Sequence, residues 1–170
     1  MEITNSKKED IPEIFRLYEL ASDFQRTKFP ENQWPRFDEE LVSREVAENR
    51  QFKLLIDNKI ACIWAITNSD PEIWEDDDKD PSIYIHRIAT NPDFRGNNFI
   101  KIIVDWAIKF AKDQNKEFIR MDTCGINERL INHYTTCGFT FLGTKRLKDT
   151  DGLPSHYQKA VVCFFEIKVE

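Results

Sequence analysis

The stretch Tyr84-Ile85-His86-Arg87-Ile88-Ala89-Thr90-Asn91-Pro92-Asp93-Phe94-Arg95-Gly96-Asn97-Asn98-Phe99-Ile100-Lys101-Ile102-Ile103 decides the fold. It reads as a strand over Ser82–Thr90, a short Pro-containing turn, and a loop with Arg95 and Gly96 that opens a helix over Asn98–Asp113. The helix is the clearest in the chain. Phe99, Ile102, Ile103, Trp106, Ala107 and Phe110 recur on one stripe at helical spacing. The first amides of a helix have no intrahelical partner, and the helix dipole adds positive potential there. Such a start is a ready site for a diphosphate. The plainer reading is a turn before a helix, since strand-turn-helix units are common.

Working outward, Met1–Thr4 reads as a short strand, and a helix follows over Ile11–Phe24. Asp10 or Ser6 is its candidate cap, and Pro12 suits its first turn. An aromatic-studded connector runs from Phe29 to Phe37. Asp38 then caps a second helix ending near Glu48. Gln51–Asp57 and Ile60–Thr67 read as a hairpin around Asn58-Lys59. A loop over Asn68–Pro81 is sharply acidic at Glu75-Asp76-Asp77-Asp78. Beyond the long helix come a strand over Glu117–Thr123, a helix over Asn127–Cys137 closed by Gly138, and strands over Phe139–Lys145 and Val161–Lys168. A loop over Arg146–Ala160 joins the last two. The order β-α-α-β-β-β-α-β-α-β-β describes an α/β mixture with one parallel strand-helix-strand unit in its middle.

The chain has 170 residues, 41% hydrophobic and 32% charged, with 13 Phe. That is enough for one domain over residues 1–170 with an aromatic-rich core. The net charge of −6 argues against a nucleic-acid partner. No stretch approaches the ~20 apolar residues of a membrane span, and Met1–Asn5 carries no signal-peptide apolar run. Cys62, Cys124, Cys137 and Cys163 form no C-x-x-C pair and no zinc pattern with the three histidines. They read as buried free thiols, which implies a reducing, cytoplasmic setting and no metal.

A second segment adds to the first. The strand Ile119-Arg120-Met121-Asp122-Thr123 is followed by Asn127-Glu128-Arg129-Leu130-Ile131-Asn132-His133-Tyr134-Thr135-Thr136-Cys137-Gly138-Phe139. Together the two segments resemble the GNAT superfamily of N-acetyltransferases, and the element order over nearly the whole chain is similar to that fold. The resemblance implies an acyl-CoA N-acyltransferase fold: a central mixed, mostly antiparallel sheet with a splayed strand pair, flanked by helices.

It further implies acetyl-CoA as co-substrate, with its pyrophosphate on the backbone amides of Arg95, Gly96, Asn97, Asn98, Phe99, Ile100 and Lys101. The family form is Arg/Gln-x-x-Gly-x-Gly/Ala. This chain keeps Arg95 but has Asn98 and Ile100 at the small positions. Asn tolerates left-handed backbone angles, so Asn98 is a mild change. Ile100 brings a branched side chain toward the diphosphate or the helix-strand packing. The backbone of Ile88, Ala89 and Thr90 is expected to pair with the pantetheine amides as an added strand does.

His86 matches a histidine that in some members removes the amine proton, and an imidazole suits that task. It reads equally as a strand histidine satisfied by neighbours. Tyr84 is an alternative, since some relatives place a carboxylate base there. Tyr134, in Asn-x(6)-Tyr-x(3)-Gly-Phe, matches the tyrosine that serves the leaving thiolate; the alternative is a core tyrosine. Asn127 matches an asparagine near the pantetheine arm, or is a plain helix cap.

The implied reaction is direct transfer of an acetyl group to a primary amine of a small molecule or peptide. A homodimer is common among such proteins. Trp34 in the connector, the acidic run at 75–78 and Ser155-His156-Tyr157 are candidate acceptor-site features. Each also reads as ordinary packing or solvated loop. The competing reading is a catalytically degenerate GNAT-like module that binds coenzyme A or a protein partner, and Ile100 is its supporting feature.

Overall fold

Apolar and β-branched runs make strands of Glu2–Asn5 (β1), Gln51–Ile56 (β2), Lys59–Thr67 (β3), Ser82–Thr90 (β4), Phe118–Cys124 (β5), Thr140–Arg146 (β6) and Val161–Lys168 (β7). The helices are Ile11–Lys28 (α1), Glu39–Ala47 (α2), the short Pro71–Trp74 (α3), Phe99–Asp113 (α4) and Glu128–Thr136 (α5). The computed structural model describes residues 1–28, 30, 33–158 and 160–170. Among these the strands form one seven-stranded sheet in the order β1-β2-β3-β4-β5-β7-β6. Pairs β1–β2, β2–β3, β5–β7 and β6–β7 are antiparallel, and β4–β5 is parallel. Parallel pairing joins Ser82–Tyr84 to Phe118–Arg120, while β4 runs on to Thr90 and β5 to Cys124. This is the expected mixed, mostly antiparallel sheet.

The chain divides into two units: Met1–Ile66 with His86–Asn97, and Thr67–Ile85 with Asn98–Glu170. In the first, Ile14, Leu17 and Tyr18 of α1 pack with Phe37, Val42, Val46, Ile63 and Ala89. A 3₁₀ turn over Lys8–Asp10 precedes α1, which runs four residues further than its stripe suggested. Asp10 does not cap α1. Its carboxylate accepts the Lys7 amide at 2.7 Å and pairs with Lys53 at 2.6 Å. Asp38 caps α2 as expected, accepting the Glu40 amide at 2.9 Å. The β2–β3 turn is Asp57-Asn58, one residue earlier than predicted. Both residues have positive φ, 49° and 60°, as a two-residue hairpin turn needs. Of the expected connector, Phe29, Glu31 and Asn32 lie outside the described residues.

In the second unit, Ile73, Trp74, Tyr84, Tyr157, Val162 and Phe164 form a core cluster. Phe99, Ile103 and Ala107 of α4 are buried with Val104 and Ala111. The buried face is thus rotated away from Ile102, Trp106 and Phe110. The two expected loops carry short helices: Asn68–Pro81 holds α3 and a 3₁₀ helix over Glu75–Lys79, and the later loop holds a 3₁₀ turn over Ser155–Tyr157. Lys159 of that loop is outside the described residues. All four cysteines are free thiols, with Cys62, Cys137 and Cys163 buried and Cys124 half-buried.

Candidate active site

In the first unit the site residues come from the end of β4 and the loop after it. Within β4, Arg87 has φ 51°, an angle unusual for a residue other than glycine. Its guanidinium is held on every side. It bonds the buried Glu45 carboxylate, donates to Tyr18 Oη at 3.4 Å, and lies 5.9 and 5.2 Å from the Tyr18 and Phe37 ring centres. This fixes the backbone immediately before Ile88, Ala89 and Thr90. Asn91 then closes the strand. Its amide donates to Ala61 O and its side chain to Ile60 O, each at 2.9 Å. Burial, then the positive charges of Arg87 and Arg50, holds the His86 imidazole down at about 3. His86 is therefore neutral at working pH and a weak proton acceptor.

The loop itself is shaped by two left-handed residues. Gly96 has φ 89°, and among the described residues beyond its two chain neighbours no heavy atom lies within 4 Å of where a Cβ would stand. Asn97 Nδ2 donates to Phe94 O at 2.8 Å, and the Arg95 guanidinium lies 5.0 Å from the Phe24 ring centre. The chain passes into the second unit at Asn98, the N-cap of α4, with φ 45° and ψ 53°. The mild reading of this substitution is what the backbone shows: Asn occupies the angle that a glycine would take. Asn98 does not cap with its side chain. Its Oδ1 accepts instead from Cys137 Sγ at 3.4 Å. The opening amides of α4 are thus not covered by the side chain of their own N-cap residue. Phe99 is buried, Ile100 is half-buried, and Lys101 is exposed and paired with Asp105.

Further along the second unit, Asn127 caps α5, accepting the Leu130 amide at 3.2 Å. Gly138 has φ 117° and ends that helix, with the Phe139 amide donating to Tyr134 O at 3.1 Å. Tyr134 is buried, with its ring 5.1 Å from Phe165 and 6.1 Å from Phe139. Its ring packing is that of a core tyrosine. Tyr84 is fully buried beside Trp74, and burial pushes its phenol up to about 12. A phenol so held keeps its proton at working pH.

The acidic run is neither an open loop nor a bare acidic surface. Asp78 accepts Ser69 Oγ at 2.7 Å and the Asp70 amide at 2.6 Å, and Lys145 bonds Glu75. The buried Arg120 pairs with Asp80 and Glu166, each at 2.8 Å, and donates to Asp77 O. Ordering the run around Arg120 brings up residues that the sequence reading missed. Asp122 Oδ2 accepts Tyr157 Oη at 2.8 Å, and an Asp70 carboxylate oxygen lies within 4.8 Å of one of Asp122. Burial pushes Asp122 up to about 6, against the lowering effect of the Tyr157 hydroxyl. Burial, then the charges of Asp122, Asp78 and Glu72, pushes Asp70 up to about 8. No local motif marks this pair, because α3 and β5 are far apart in sequence.

Among the described residues no helix is long and apolar enough to cross a membrane. The chain is similar to known proteins by sequence and by fold. It is 31% identical over 74 residues to an uncharacterized N-acetyltransferase, YesJ, of Bacillus subtilis strain 168; the match spans 44% of this chain and 41% of that protein. Its fold is similar to that of a GNAT-family acetyltransferase from Listeria monocytogenes 4b F2365, with TM-score 0.78 and 20% identity over 98% of this chain and 94% of that one. It is also similar to yncA, a suggested acetyltransferase of Salmonella typhimurium solved with its cofactor acetyl-CoA. There the TM-score is 0.69, with 12% identity over 100% of this chain and 94% of that one. The profile of the acetyltransferase (GNAT) family matches residues 14–139, and the chain belongs to that family.

Proposed function

We propose that the chain transfers an acetyl group from acetyl-CoA to the primary amine of a small molecule or peptide, by direct attack. The observation that carries this reading is the loop from Arg95 to Lys101. Gly96 and Asn98 both take left-handed angles there, a Cβ on Gly96 would meet open space among the described residues, and the Asn98 side chain does not cap α4. A diphosphate needs backbone amides presented in this way. The donor groups belong to the backbone, so Ile100 does not remove them.

In this reading the backbone of Ile88, Ala89 and Thr90 pairs with the pantetheine arm and polarises the thioester carbonyl. The amine loses a proton, its nitrogen bonds the acetyl carbon, and the carbon–sulfur bond breaks. Tyr134 gives a proton to the departing sulfur; a phenol of pKa ~10 is a workable acid for a thiolate of pKa ~8.5 in a dry site. Asn127, already committed to the α5 cap, shapes the pantetheine side. The base has two candidates. His86 is held neutral and accepts a proton weakly, whereas Asp122, raised to about 6, is better matched to working pH.

The test is a thioester-consumption screen with acetyl-CoA against amine classes: aromatic monoamines, polyamines, amino acids and peptide N-termini. Consumption with one class supports the reading. Saturable acetyl-CoA binding with no consumption by any amine would favour the non-catalytic module that Ile100 suggests.

A further inference from the structure

A concavity of about 400 Å³ opens between α1 and the segment from Gln33 to Phe37, wholly within the first unit. That volume lies in the range of small-molecule pockets, ~300–1,000 Å³. Its walls are pinned together. Ser22 Oγ donates to Trp34 O at 2.8 Å, the Trp34 amide donates to Gln25 Oε1 at 2.7 Å, and Arg26 Nε donates to Gln33 Oε1 at 3.1 Å. Four rings line it, from Phe15, Tyr18, Trp34 and Phe37, with Tyr18 lying 5.1–6.5 Å from each of the others. Tyr18 and Phe37 also flank Arg87, the residue before Ile88 on β4.

The charges on the lining divide into spent and unspent. Arg26 pairs with Asp23 at 3.2 Å and bonds Gln33. Glu19 and Arg36 also line the pocket; both are exposed, and neither side chain has a hydrogen-bond or ion-pair partner among the described residues. One unspent carboxylate and one unspent guanidinium beside an aromatic floor match a ligand with three parts. These are an ammonium group and a carboxylate on one carbon, with an apolar side chain branching from that carbon.

We propose that this pocket binds a free amino acid with an aromatic or other apolar side chain. Arg36 takes its carboxylate, Glu19 its ammonium group, and the rings of Phe15 and Trp34 its side chain. As an acceptor site the pocket rests on the N-acetyltransferase reading; as a binding site it stands without it. When the bound amino acid is acetylated, its α-nitrogen loses a proton and bonds the acetyl carbon as the thioester carbon–sulfur bond breaks, and the thiolate takes up a proton.

The test is calorimetric, in the absence of acetyl-CoA, with three probes sharing one ring: L-phenylalanine, phenethylamine and 3-phenylpropionate. The expected result is that phenylalanine binds about three- to tenfold tighter than either stripped analogue, as a partly exposed charge pair allows. Arg36→Gln, at an exposed position, should erase the advantage over phenethylamine and leave that over phenylpropionate. Glu19→Gln should do the reverse. Trp34→Ala should weaken all three about equally. Phenethylamine binding as tightly as phenylalanine, or a carboxylate preference that survives Arg36→Gln, overturns the assignment, as does no binding by any probe. A parallel thioester-consumption assay with phenylalanine separates the two claims. Binding without consumption leaves the pocket and removes the acceptor role, and consumption of other amines with no phenylalanine binding does the opposite.

Discussion

Glu45→Gln should be among the most damaging single changes in the first unit. Glu45 is 4% exposed, and its carboxylate faces Arg87, which is 15% exposed. Gln keeps the shape and one acceptor oxygen but removes the charge. The guanidinium then stays buried with a weak partner, Arg50 being another cation near the same carboxylate at 3.9 Å. Breaking a buried pair from one side costs about 3–5 kcal/mol. The Tyr18 and Phe37 rings and the remaining amide oxygen still serve Arg87, which argues for the lower end, about 3 kcal/mol. With a urea m-value of ~2 kcal/mol/M, the unfolding midpoint should fall by roughly 1.5 M. Glu45→Leu combined with Arg87→Met removes both charges and should recover most of that loss. Arg87 holds a positive φ just before Ile88, so Glu45→Gln should also raise the Kd for acetyl-CoA. A midpoint shift below ~0.5 M would refute the argument that this pair holds the strand end.

Asn98→Ala places a residue with poor left-handed tolerance at φ 45°, at a cost of about 1 kcal/mol; urea unfolding should show the loss and Asn98→Gly should not share it. Tyr134→Phe should lower kcat at least tenfold with an unchanged Kd for acetyl-CoA, because the ring keeps its packing; unchanged turnover removes Tyr134 from the acid role. Asp122 must be ionised to accept a proton, so kcat/KM should rise with pH through about 6. Asp122→Asn should abolish that limb, whereas His86→Gln should leave it, because an imidazole held near 3 does not titrate there.

The strand-loop-helix unit was legible because its signals are local: a stripe at helical spacing on α4, Gly96 at a turn, and Asn127 and Gly138 bracketing α5. These placed the fold and the loop correctly. The rest depends on residues distant in sequence. Nothing local marks β7 as the strand inserted between β5 and β6. Arg87 carries a positive φ without a glycine to announce it, since a buried carboxylate and two rings hold it there. The acidic run looked like solvated charge because two residues that hold it, Arg120 on the Asp77 carbonyl and Lys145 on the Glu75 carboxylate, lie some forty and seventy residues away. Asp70 and Asp122 were invisible for the same reason: α3 and β5 meet only after folding, and their burial is what lifts both carboxyls.

The most direct test of the central claim is calorimetric titration of the full chain with acetyl-CoA, followed by coenzyme A without the acetyl group. The account predicts saturable one-to-one binding of both well below millimolar concentration, because the contacts lie on the pyrophosphate and pantetheine. Gly96→Val should weaken both alike, because φ 89° is closed to a branched side chain. No binding at millimolar cofactor, or binding indifferent to Gly96→Val, would contradict it.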